Sequence, residues 1–303
     1  MQSKTEYSEN IAKRSETMLV TSKELLQKAK QQKLAVPSAN FFDWTSVMAH
    51  TEVANEMKLP IILSYAEAHK AYLSLEEAAL LGKFYGGKVD VPVVLHLDHG
   101  TSLVVVKRAI DLGFTSVMID ASQEVLEKNI AITKEIVEYA HAKGVVVEAE
   151  IGHVGTGVLV GSVGEGGGYG QNDDSIYTSV EEAVEMCKQT NVDSLAISIG
   201  TAHGTYKGTP VINFKRLEEI AASMDTPLVL HGGSSSGDAN LNRCATSGIA
   251  KINIYTDFVI AAKDKMSIET AENYYEVIAQ AKQGMKDCLK HYYQVFETIK
   301  YKK

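Results

Sequence analysis

The chain has 303 residues, of which 45% are hydrophobic, and its formal net charge is −8 at pH 7. This length and apolar content allow one large core, and the interspersed acidic and basic residues leave no electrostatic footprint for nucleic acid. No apolar run approaches the roughly 18 residues of a membrane span, and no hydrophobic N-terminal stretch suggests a signal peptide. The three widely spaced cysteines are expected to be reduced thiols. These features predict a cytoplasmic protein that binds neither nucleic acid nor membrane.

Residues 1–17 are polar and are interpreted as an N-terminal extension, whereas residues 18–303 are predicted to form a single domain. Within that domain, short runs rich in Val, Ile and Leu alternate with amphipathic segments. The eight predicted strands are residues 34–37, 59–64, 91–98, 116–122, 145–152, 194–201, 227–234 and 249–256. Such apolar runs are typical of parallel strands covered on both faces, and the segments between them are long enough to cross back over the sheet.

The chain is therefore predicted to fold as a (βα)8 TIM barrel of the α/β class. Its last segment, residues 273–303, carries apolar and aromatic residues at helical spacing. One or two additional C-terminal helices are expected there, packed either on the barrel or on another subunit.

Three histidines, His99, His203 and His231, stand at or near the carboxyl ends of predicted strands. Neutral imidazole is the commonest zinc ligand in proteins, and three protein ligands with one open position are typical of catalytic zinc. A lone histidine in an apolar run is more often a hydrogen-bonded core residue. Three of them at the end where barrels build their active sites favour a metal centre. The remaining histidines are expected to be structural or exposed, and they are His50, His69, His141, His153 and His291.

Asp98 directly precedes His99 in the third predicted strand. Side chains alternate along a strand, so His99 is expected to face away from Asp98 unless the strand is already ending, which the following Gly100 favours. Asp98 is predicted to transfer a proton at a substrate hydroxyl or carbonyl, or else only to orient a ligand histidine. His96 belongs to the same motif, and the residues alone leave open whether His96 or His99 is the histidine of this motif that binds the metal.

Two loops after the seventh and eighth predicted strands are rich in small and polar residues. Residues 232–237 read Gly-Gly-Ser-Ser-Ser-Gly ahead of a predicted helix, and residues 253–256 read Asn-Ile-Tyr-Thr. A glycine cluster alone is more often only a tight turn, but phosphate sites in barrels are often formed by these two loops. A metal beside a phosphate pocket suggests that the protein polarises the carbonyl of a phosphorylated ketone.

Six motifs occur in the order and spacing of one known family. They are Leu-His-Leu-Asp-His-Gly at 95–100, Val-Met-Ile-Asp-Ala-Ser at 117–122, Val-Glu-Ala-Glu-Ile-Gly at 147–152, Gly-Thr-Ala-His-Gly at 200–204, Leu-His-Gly-Gly-Ser at 230–234 and Lys-Ile-Asn-Ile-Tyr-Thr at 251–256. On these motifs the chain resembles the class II, zinc-dependent ketose-bisphosphate aldolases, which include fructose- and tagatose-bisphosphate aldolases. The resemblance implies a homodimeric or homotetrameric lyase of carbohydrate metabolism, such as glycolysis. Its reaction would cleave or form a ketose 1-phosphate or ketose 1,6-bisphosphate through a dihydroxyacetone phosphate enediolate.

The resemblance also implies roles for individual residues. The zinc ligands that it implies are His99, His203 and His231. It makes Asp98 the proton donor and acceptor at the C4 oxygen of the substrate, and it matches Asp120 and Glu150 with positions that hold a second or displaced metal in some members. The residues that match the dihydroxyacetone phosphate pocket, together with its neighbouring positions, are Gly204, Lys207, Gly232, Gly233, Ser234, Asn253, Ile254, Tyr255 and Thr256. A monovalent cation beside the phosphate is in keeping with the family.

Two departures from the family pattern bear on mechanism and substrate. Residues 151–166 replace the family's short acidic loop and are longer and richer in glycine. Glu165 is predicted to move the proton at C3 from a flexible lid, unless it is only a solvated loop residue. Tyr255 and Val259 stand where fructose-bisphosphate enzymes of the family often have aspartate and arginine. The lost arginine would be the natural partner of a second phosphate, so an unphosphorylated aldehyde is the expected second half of the substrate.

Two other functions remain open from the sequence. One is a non-catalytic sugar-phosphate-binding or regulatory homologue that kept the metal and phosphate pocket but lost the C3 base. The other is a metal-dependent sugar-phosphate epimerase or isomerase on the same barrel.

Overall fold

The computed structural model describes residues 19–152, 155–156, 177–204, 206, 208, 210–268 and 270–302. The predicted extension of residues 1–17 lies outside these ranges. Eight parallel strands close into a barrel in which each strand pairs with its neighbours in chain order and the last pairs with the first. The strands are β1 (Val36–Asn40), β2 (Ile61–Ala66), β3 (Val93–Gly100), β4 (Ser116–Ile119), β5 (Val146–Ile151), β6 (Ser194–Ile197), β7 (Leu228–Leu230) and β8 (Ile249–Ile254). The predicted TIM barrel is therefore confirmed.

Helices cover the outside of the barrel. They are α1 (Ser22–Gln32), α2 (Trp44–Met57), α3 (Leu75–Gly86), α4 (Leu103–Leu112), α5 (Leu126–His141), α6 (Val180–Thr190), α7 (Phe214–Ser223), α8 (Asp238–Ser247), α9 (Thr256–Ile268) and α10 (Tyr274–Val295). Local sequence sets where several begin: α2 starts at a capping box between Asp43 and Ser46, and α3 starts at one between Ser74 and Glu77. Because these helices follow strands, their capped N-termini lie at the carboxyl end of the barrel.

The amino ends of the strands are closed by α1. Leu25, Leu26 and Ala29 of this helix belong to a buried apolar cluster with residues that precede or begin the strands. The other members of this cluster are Leu34, Val36, Ile62, Val94 and Ala250. This plug seals one end of the barrel, and the polar side chains of the strands gather at the other end.

A separate two-stranded parallel ladder pairs Gly155–Thr156 with Ala202–His203. The two stretches follow β5 and β6, so the ladder extends the chain beyond the carboxyl end of the barrel sheet. It was not predicted from the sequence, because two-residue strands carry no periodic pattern.

The C-terminal segment forms α10 and a short 3₁₀ turn at Thr298–Lys300. Helix α10 packs on α9 so closely that a Cβ on Gly284 would lie 2.2 Å from the Ala261 carbonyl oxygen. Tyr293 is fully buried, whereas Tyr274 and Tyr275 at the start of α10 are 71% and 82% exposed. One face of this helix therefore belongs to the barrel core. Among the described residues, no helix combines the length and apolar character that crossing a membrane requires.

Candidate active site

A cavity of about 390 Å³ opens at the carboxyl ends of the strands. Its lining residues are Asn40, Ala66, Ala68, His69, Asp98, His99, Asp120, Ser122, Gln123, Glu150, His203, Gly204, Gly232, Ser234, Asn253, Tyr255 and Thr256. Most of the predicted site residues are among them, and the predicted ligand His231 is fully buried next to His99. The fold thus brings together side chains from distant parts of the chain.

The three predicted ligand histidines converge at this cavity. The ring centroid of His99 lies 5.0 Å from that of His203 and 4.6 Å from that of His231, and the latter two are 6.0 Å apart. One ring nitrogen of each lies within 4.8 Å of the others. A second group with ligand atoms equally close is formed by His99, Asp120 and Glu150. The cluster therefore offers two overlapping sets of metal ligands that share His99.

The backbone at His99 explains how consecutive residues of β3 reach the same cavity. The strand continues to Gly100, but its pairing with β4 shifts between Leu97 and Gly100, and His99 adopts a φ of 49°. This left-handed conformation interrupts the alternation of side chains, so both Asp98 and His99 line the cavity. Simple alternation fails here because of a bulge and not because the strand ends. Strain of this kind is typical of functional sites.

Two of the imidazoles are each held from outside by a carboxylate. Asp120 Oδ2 lies 2.7 Å from His99 Nδ1, and Glu148 Oε1 lies 2.9 Å from His231 Nε2. A carboxylate on one ring nitrogen keeps the proton there and leaves the lone pair of the other nitrogen free for a metal. These inner nitrogens, His99 Nε2 and His231 Nδ1, lie 2.8 Å apart. This is a hydrogen-bond distance, so one of the two nitrogens carries a proton in this arrangement, and a metal cation can take the place of that proton.

The acidic residues around the histidines also favour a positive charge in this cluster. Glu150 Oε2 is buried 3.7 Å from His231 Nδ1 and has no hydrogen-bond partner within the described ranges. Burial raises the pKa of Glu150 to about 7. Burial by itself would lower the pKa of His99, but Asp98 and Asp120 raise it to about 9. An unpaired carboxylate oxygen and a field that favours positive charge both fit a divalent metal ion.

His203 lies in the short ladder, and contacts of its neighbour Ala202 hold that ladder against the loop after β7. The Tyr206 hydroxyl lies 2.8 Å from the carbonyl oxygen of Ala202 and 3.0 Å from that of Gly232. Gly232 has a φ of 66°, and a Cβ there would lie 2.4 Å from the Ala202 oxygen, so this approach requires glycine. Burial and the neighbouring imidazoles lower the pKa of His203 to about 3. The ring is therefore neutral, which is the form that binds a metal.

Asp98 is held on both sides by amides. Asn40 Nδ2 donates to Asp98 Oδ2 at 2.8 Å, and Asn253 Nδ2 donates to Asp98 Oδ1 at 2.9 Å. Burial by itself would raise the pKa of Asp98, but His99 and His231 hold it well below its ordinary range. The carboxylate is therefore ionised and immobilised at the cavity wall, as a proton acceptor needs to be. Asn40 was missed by the sequence interpretation because a single asparagine carries no motif.

Lys251 and Glu148 form a buried ion pair inside the barrel. Lys251 Nζ lies 2.9 Å and 2.8 Å from the two carboxylate oxygens, and each residue is 1% exposed. His96 Nε2 lies 3.3 Å from the same ammonium, so His96 belongs to this pair and not to the metal cluster. Burial by itself would raise the pKa of Glu148, but Lys251 and His231 keep it well below its ordinary range. The ionised carboxylate can therefore hold the proton on His231 Nε2. Lys251 was missed, since its only signal is one lysine in an apolar run.

Replacing Lys251 by methionine is expected to destabilise the protein by about 3–5 kcal/mol, because Glu148 would be left buried without its cation. The pKa of Glu148 in the fold lies below its ordinary value of 4.5. The wild-type pair therefore stabilises the protein fully above that pH, and this stabilisation is lost as the pH falls through the folded-state pKa. Urea unfolding at several pH values measures both effects. Exposed Lys263 supplies the control variant Lys263→Met, and equal unfolding of the two variants at pH 7 would contradict the expectation.

The two predicted phosphate loops meet at the cavity. Ser234 and Thr256 line it, and Thr256 is the first residue of α9, so a helix N-terminus borders the space. In the first turn of this helix the Asp257 amide donates to the Ser234 hydroxyl at 3.5 Å. The Ser234 hydroxyl accepts a hydrogen bond from the Tyr255 amide at 3.1 Å, which joins the two loops. Asn253 Oδ1 is buried and lacks a hydrogen-bond partner within the described part of the chain. Phosphate groups bind at helix N-termini, and the free amide oxygen can accept a hydroxyl of the same ligand.

Some predicted site residues do not join this lining. A Cβ on Gly233 would lie 2.7 Å from a side chain of β8, and Ile254 is fully buried because alternate residues of β8 face the core. Lys207 and Glu165 fall outside the described residues. His69, which was expected to be structural or exposed, lines the cavity.

Converging imidazoles beside an immobilised carboxylate define the class of this protein, a metal-dependent barrel enzyme. Comparison with known proteins identifies the family within this class. The profile of the family described as "Fructose-bisphosphate aldolase class-II" matches residues 20–300. The chain therefore belongs to the class II fructose-bisphosphate aldolase family, a family of lyases, and the resemblance seen in its motifs is confirmed.

Relatives and solved structures agree with this family. The chain is 40% identical over 252 residues to a fructose-bisphosphate aldolase of Staphylococcus aureus, with 80% of this chain and 83% of the relative covered. It is 41% identical over 248 residues to a fructose-bisphosphate aldolase of Geobacillus stearothermophilus, with the same shares covered, 80% and 83%. The crystal structure of the YdjI aldolase from Escherichia coli K12 matches with a TM-score of 0.82 and 29% identity, and covers 94% of this chain and 100% of that chain.

Proposed function

We propose that the protein is a zinc-dependent aldolase that forms or cleaves a ketose 1-phosphate, with dihydroxyacetone phosphate as the three-carbon fragment. The observation that carries this proposal is the pair of imidazole nitrogens, His99 Nε2 and His231 Nδ1, that face each other 2.8 Å apart beside Asp98. Their outer nitrogens are held by carboxylates, so both inner nitrogens are directed at one position. Family membership supplies the reaction type.

His99, His203 and His231 would hold the catalytic metal, and three nitrogen ligands favour zinc among the abundant divalent ions. Asp120 and Glu150 would offer a second position that shares His99. When bound, zinc would act as a Lewis acid that withdraws electron density from the ketone carbonyl of the substrate. The chain itself supplies the proton transfers and the binding of the phosphate.

In the cleavage direction, the Asp98 carboxylate would take the proton of the C4 hydroxyl. The C3–C4 bond then breaks, C4 leaves as an aldehyde, and the electron pair of that bond remains on the three-carbon fragment as an enediolate. Protonation of C3 completes dihydroxyacetone phosphate, and we assign that proton to Glu165. The two amides that donate to Asp98 keep its oxygens in place during the transfer.

The phosphate of the three-carbon fragment would bind at the N-terminus of α9, with Ser234 and Thr256 beside it. A monovalent cation beside this phosphate is part of the proposal. The far end of the substrate would carry no second phosphate, since Val259 stands where fructose-bisphosphate enzymes of the family often have arginine. The aldehyde fragment is therefore proposed to be unphosphorylated.

The decisive experiment is to incubate zinc-loaded protein with dihydroxyacetone phosphate and a panel of phosphorylated and unphosphorylated aldehydes, and to identify the condensation product. We expect ketose 1-phosphates from the unphosphorylated aldehydes. A strong preference for glyceraldehyde 3-phosphate would overturn the assignment of the aldehyde. Absence of both condensation and solvent proton exchange at C3 would replace the aldolase by a binding protein, and rearrangement without a triose product would indicate an isomerase or epimerase.

We also propose that the protein is a cytoplasmic homodimer or homotetramer. The three cysteines, which are all free, suit a reducing compartment. The exposed aromatic residues at the start of α10, Tyr274 and Tyr275, are suited to contact another subunit. Size-exclusion chromatography with light scattering tests the oligomeric state.

A further inference from the structure

A small aromatic cluster of Phe42, His69 and Tyr255 borders the cavity. The ring centroids of His69 and Tyr255 are 4.4 Å apart with an interplanar angle of 40°. Phe42 meets both rings edge-on, at 5.7 Å from Tyr255 and 6.3 Å from His69. His69 and Tyr255 line the cavity, whereas none of the three belongs to the metal cluster. The aromatic cluster is thus a part of the cavity wall to which the reaction steps above assign no role.

The position of His69 is set by its backbone surroundings. It lies in a 3₁₀ turn, Glu67–Ala71, that follows β2. Glu67 Oε2 accepts hydrogen bonds from the amide and hydroxyl of Thr101 at 2.9 Å and 3.0 Å, which ties this turn to the end of β3. The His69 carbonyl oxygen accepts the amides of Tyr72 and Leu73 at 2.8 Å and 3.1 Å. The imidazole is therefore presented by a fixed segment.

The imidazole of His69 has unused hydrogen-bonding capacity. The residue is only 7% exposed, and its Nδ1 is buried without a hydrogen-bond partner in the described part of the chain. Burial lowers the pKa of His69, and Asp98 only partly opposes this effect. A neutral imidazole offers one N–H donor and one acceptor nitrogen. A hydroxyl group can accept from the N–H or donate to the lone pair, whichever of the two nitrogens faces it.

The charges of the cavity point to the same kind of ligand. Its described lining contains the carboxylates Asp98, Asp120 and Glu150 but no lysine or arginine. Lys70, next to His69 in the sequence, is exposed, and its Nζ lies 3.6 Å from Glu67 Oε1. A second phosphate near the aromatic cluster would meet carboxylates without a guanidinium or ammonium partner. An uncharged hydroxyl avoids that repulsion.

We propose that His69 and Tyr255 form the subsite for the aldehyde fragment, in which His69 hydrogen-bonds a terminal hydroxyl of an unphosphorylated polyhydroxy aldehyde and Tyr255 lies against its carbon chain. This inference rests on the proposed aldolase function and adds the residues that select the substrate. His69 is thereby a specificity-determining residue, separate from the metal ligands and from the proton-transferring Asp98.

The test compares aldehydes with and without the terminal hydroxyl. Zinc-loaded full-length protein is given saturating dihydroxyacetone phosphate with glyceraldehyde, 2-hydroxypropanal or glyceraldehyde 3-phosphate, the first two in both enantiomers. For the wild-type protein, kcat/KM is expected to be about tenfold higher for glyceraldehyde than for 2-hydroxypropanal, since one hydrogen bond to a buried group is lost. The phosphate ester is expected to be the poorest of the three. This comparison needs no variant and so does not depend on how a substitution affects folding.

Variants then locate the hydrogen bond. His69→Phe keeps a ring against Tyr255 but removes both nitrogens, so the preference for glyceraldehyde is expected to disappear through a higher aldehyde KM. Solvent proton exchange at C3 of dihydroxyacetone phosphate is expected to change by a smaller factor than that KM. His69→Gln keeps a donor and an acceptor and is expected to restore part of the preference. His291→Phe, at an exposed histidine that pairs with Asp238, is the matched control and is expected to behave like the wild-type protein.

The outcomes separate this inference from the function on which it rests. No C3 exchange and no condensation by the wild-type protein would reject the aldolase and the subsite together. Normal exchange and condensation without discrimination between glyceraldehyde and 2-hydroxypropanal would reject the subsite alone. Discrimination that survives in His69→Phe, or a preference for glyceraldehyde 3-phosphate, would equally overturn it.

Discussion

Stripping divalent metal from the protein is expected to lower the rate of aldol cleavage by roughly 10³-fold or more, because Lewis-acid polarisation of a carbonyl is worth several kcal/mol. Adding back one zinc ion per chain is expected to restore the rate. The imidazole nitrogens of His99 and His231 lie 2.8 Å apart with carboxylates on their outer sides, and this is the position that we assign to the ion. A coupled triose assay and elemental analysis measure activity and metal content together.

Two histidine variants make this expectation specific. His231→Ala removes a proposed ligand that is fully buried, and the purified variant is expected to retain little zinc. His291→Ala removes an exposed histidine that pairs with Asp238, and this control is expected to bind one zinc ion and to keep wild-type activity. Full activity after complete chelation, or undiminished zinc in His231→Ala, would contradict the assignment of the histidine cluster.

Asp98→Asn is expected to reduce kcat for cleavage by about 10²–10⁴-fold, the usual contribution of a positioned proton acceptor. Asparagine has the same shape but cannot take the proton of the C4 hydroxyl. Proton exchange at C3 of dihydroxyacetone phosphate does not use the C4 oxygen, so exchange is expected to fall far less than cleavage. Steady-state cleavage and exchange followed by NMR in deuterated water give the two rates.

The control for this substitution is Asp111→Asn, on the surface helix α4, where the carboxylate pairs with Lys143 outside the cavity. This variant is expected to cleave substrate at the wild-type rate. If Asp98→Asn lowered exchange and cleavage by the same factor, Asp98 would act by orienting His99 and not by moving the proton at C4. Orienting a ligand histidine is the alternative role of Asp98 that the sequence left open.

Much of the fold was predictable because strand and helix periods are local properties. Runs such as residues 116–122 and 249–256 are rich in Val, Ile, Met and Ala, and strands β4 and β8 lie within them. The ends of the strands were less well predicted. Strand β1 runs from Val36 to Asn40, whereas the prediction placed it at residues 34–37. Polar residues that end a buried strand, such as Asn40, do not look like strand residues until their partner is known.

The candidate site was predictable where its residues form continuous motifs. His99, His203 and His231 each belong to a motif of five or six residues, and all three are found in one cluster. Lys251 and Asn40 were missed because their roles exist only through residues far along the chain. Lys251 reaches Glu148, 103 positions away, and Asn40 reaches Asp98, 58 positions away. That His69 lines the cavity could not be predicted either, because the burial of a side chain cannot be seen in a sequence.

The amino-acid sequence by itself determined the barrel, the family and the identity of the converging histidines, because hydrophobic period and contiguous motifs are written along the chain. Only the tertiary structure decided how those side chains are directed and charged. The bulge at His99 turns its imidazole toward the cavity that Asp98 also lines. The buried Lys251 keeps Glu148 ionised beside His231. It also placed His69 against Tyr255. Direction, burial and ionisation all depend on neighbours from other strands, and a one-dimensional pattern does not contain them.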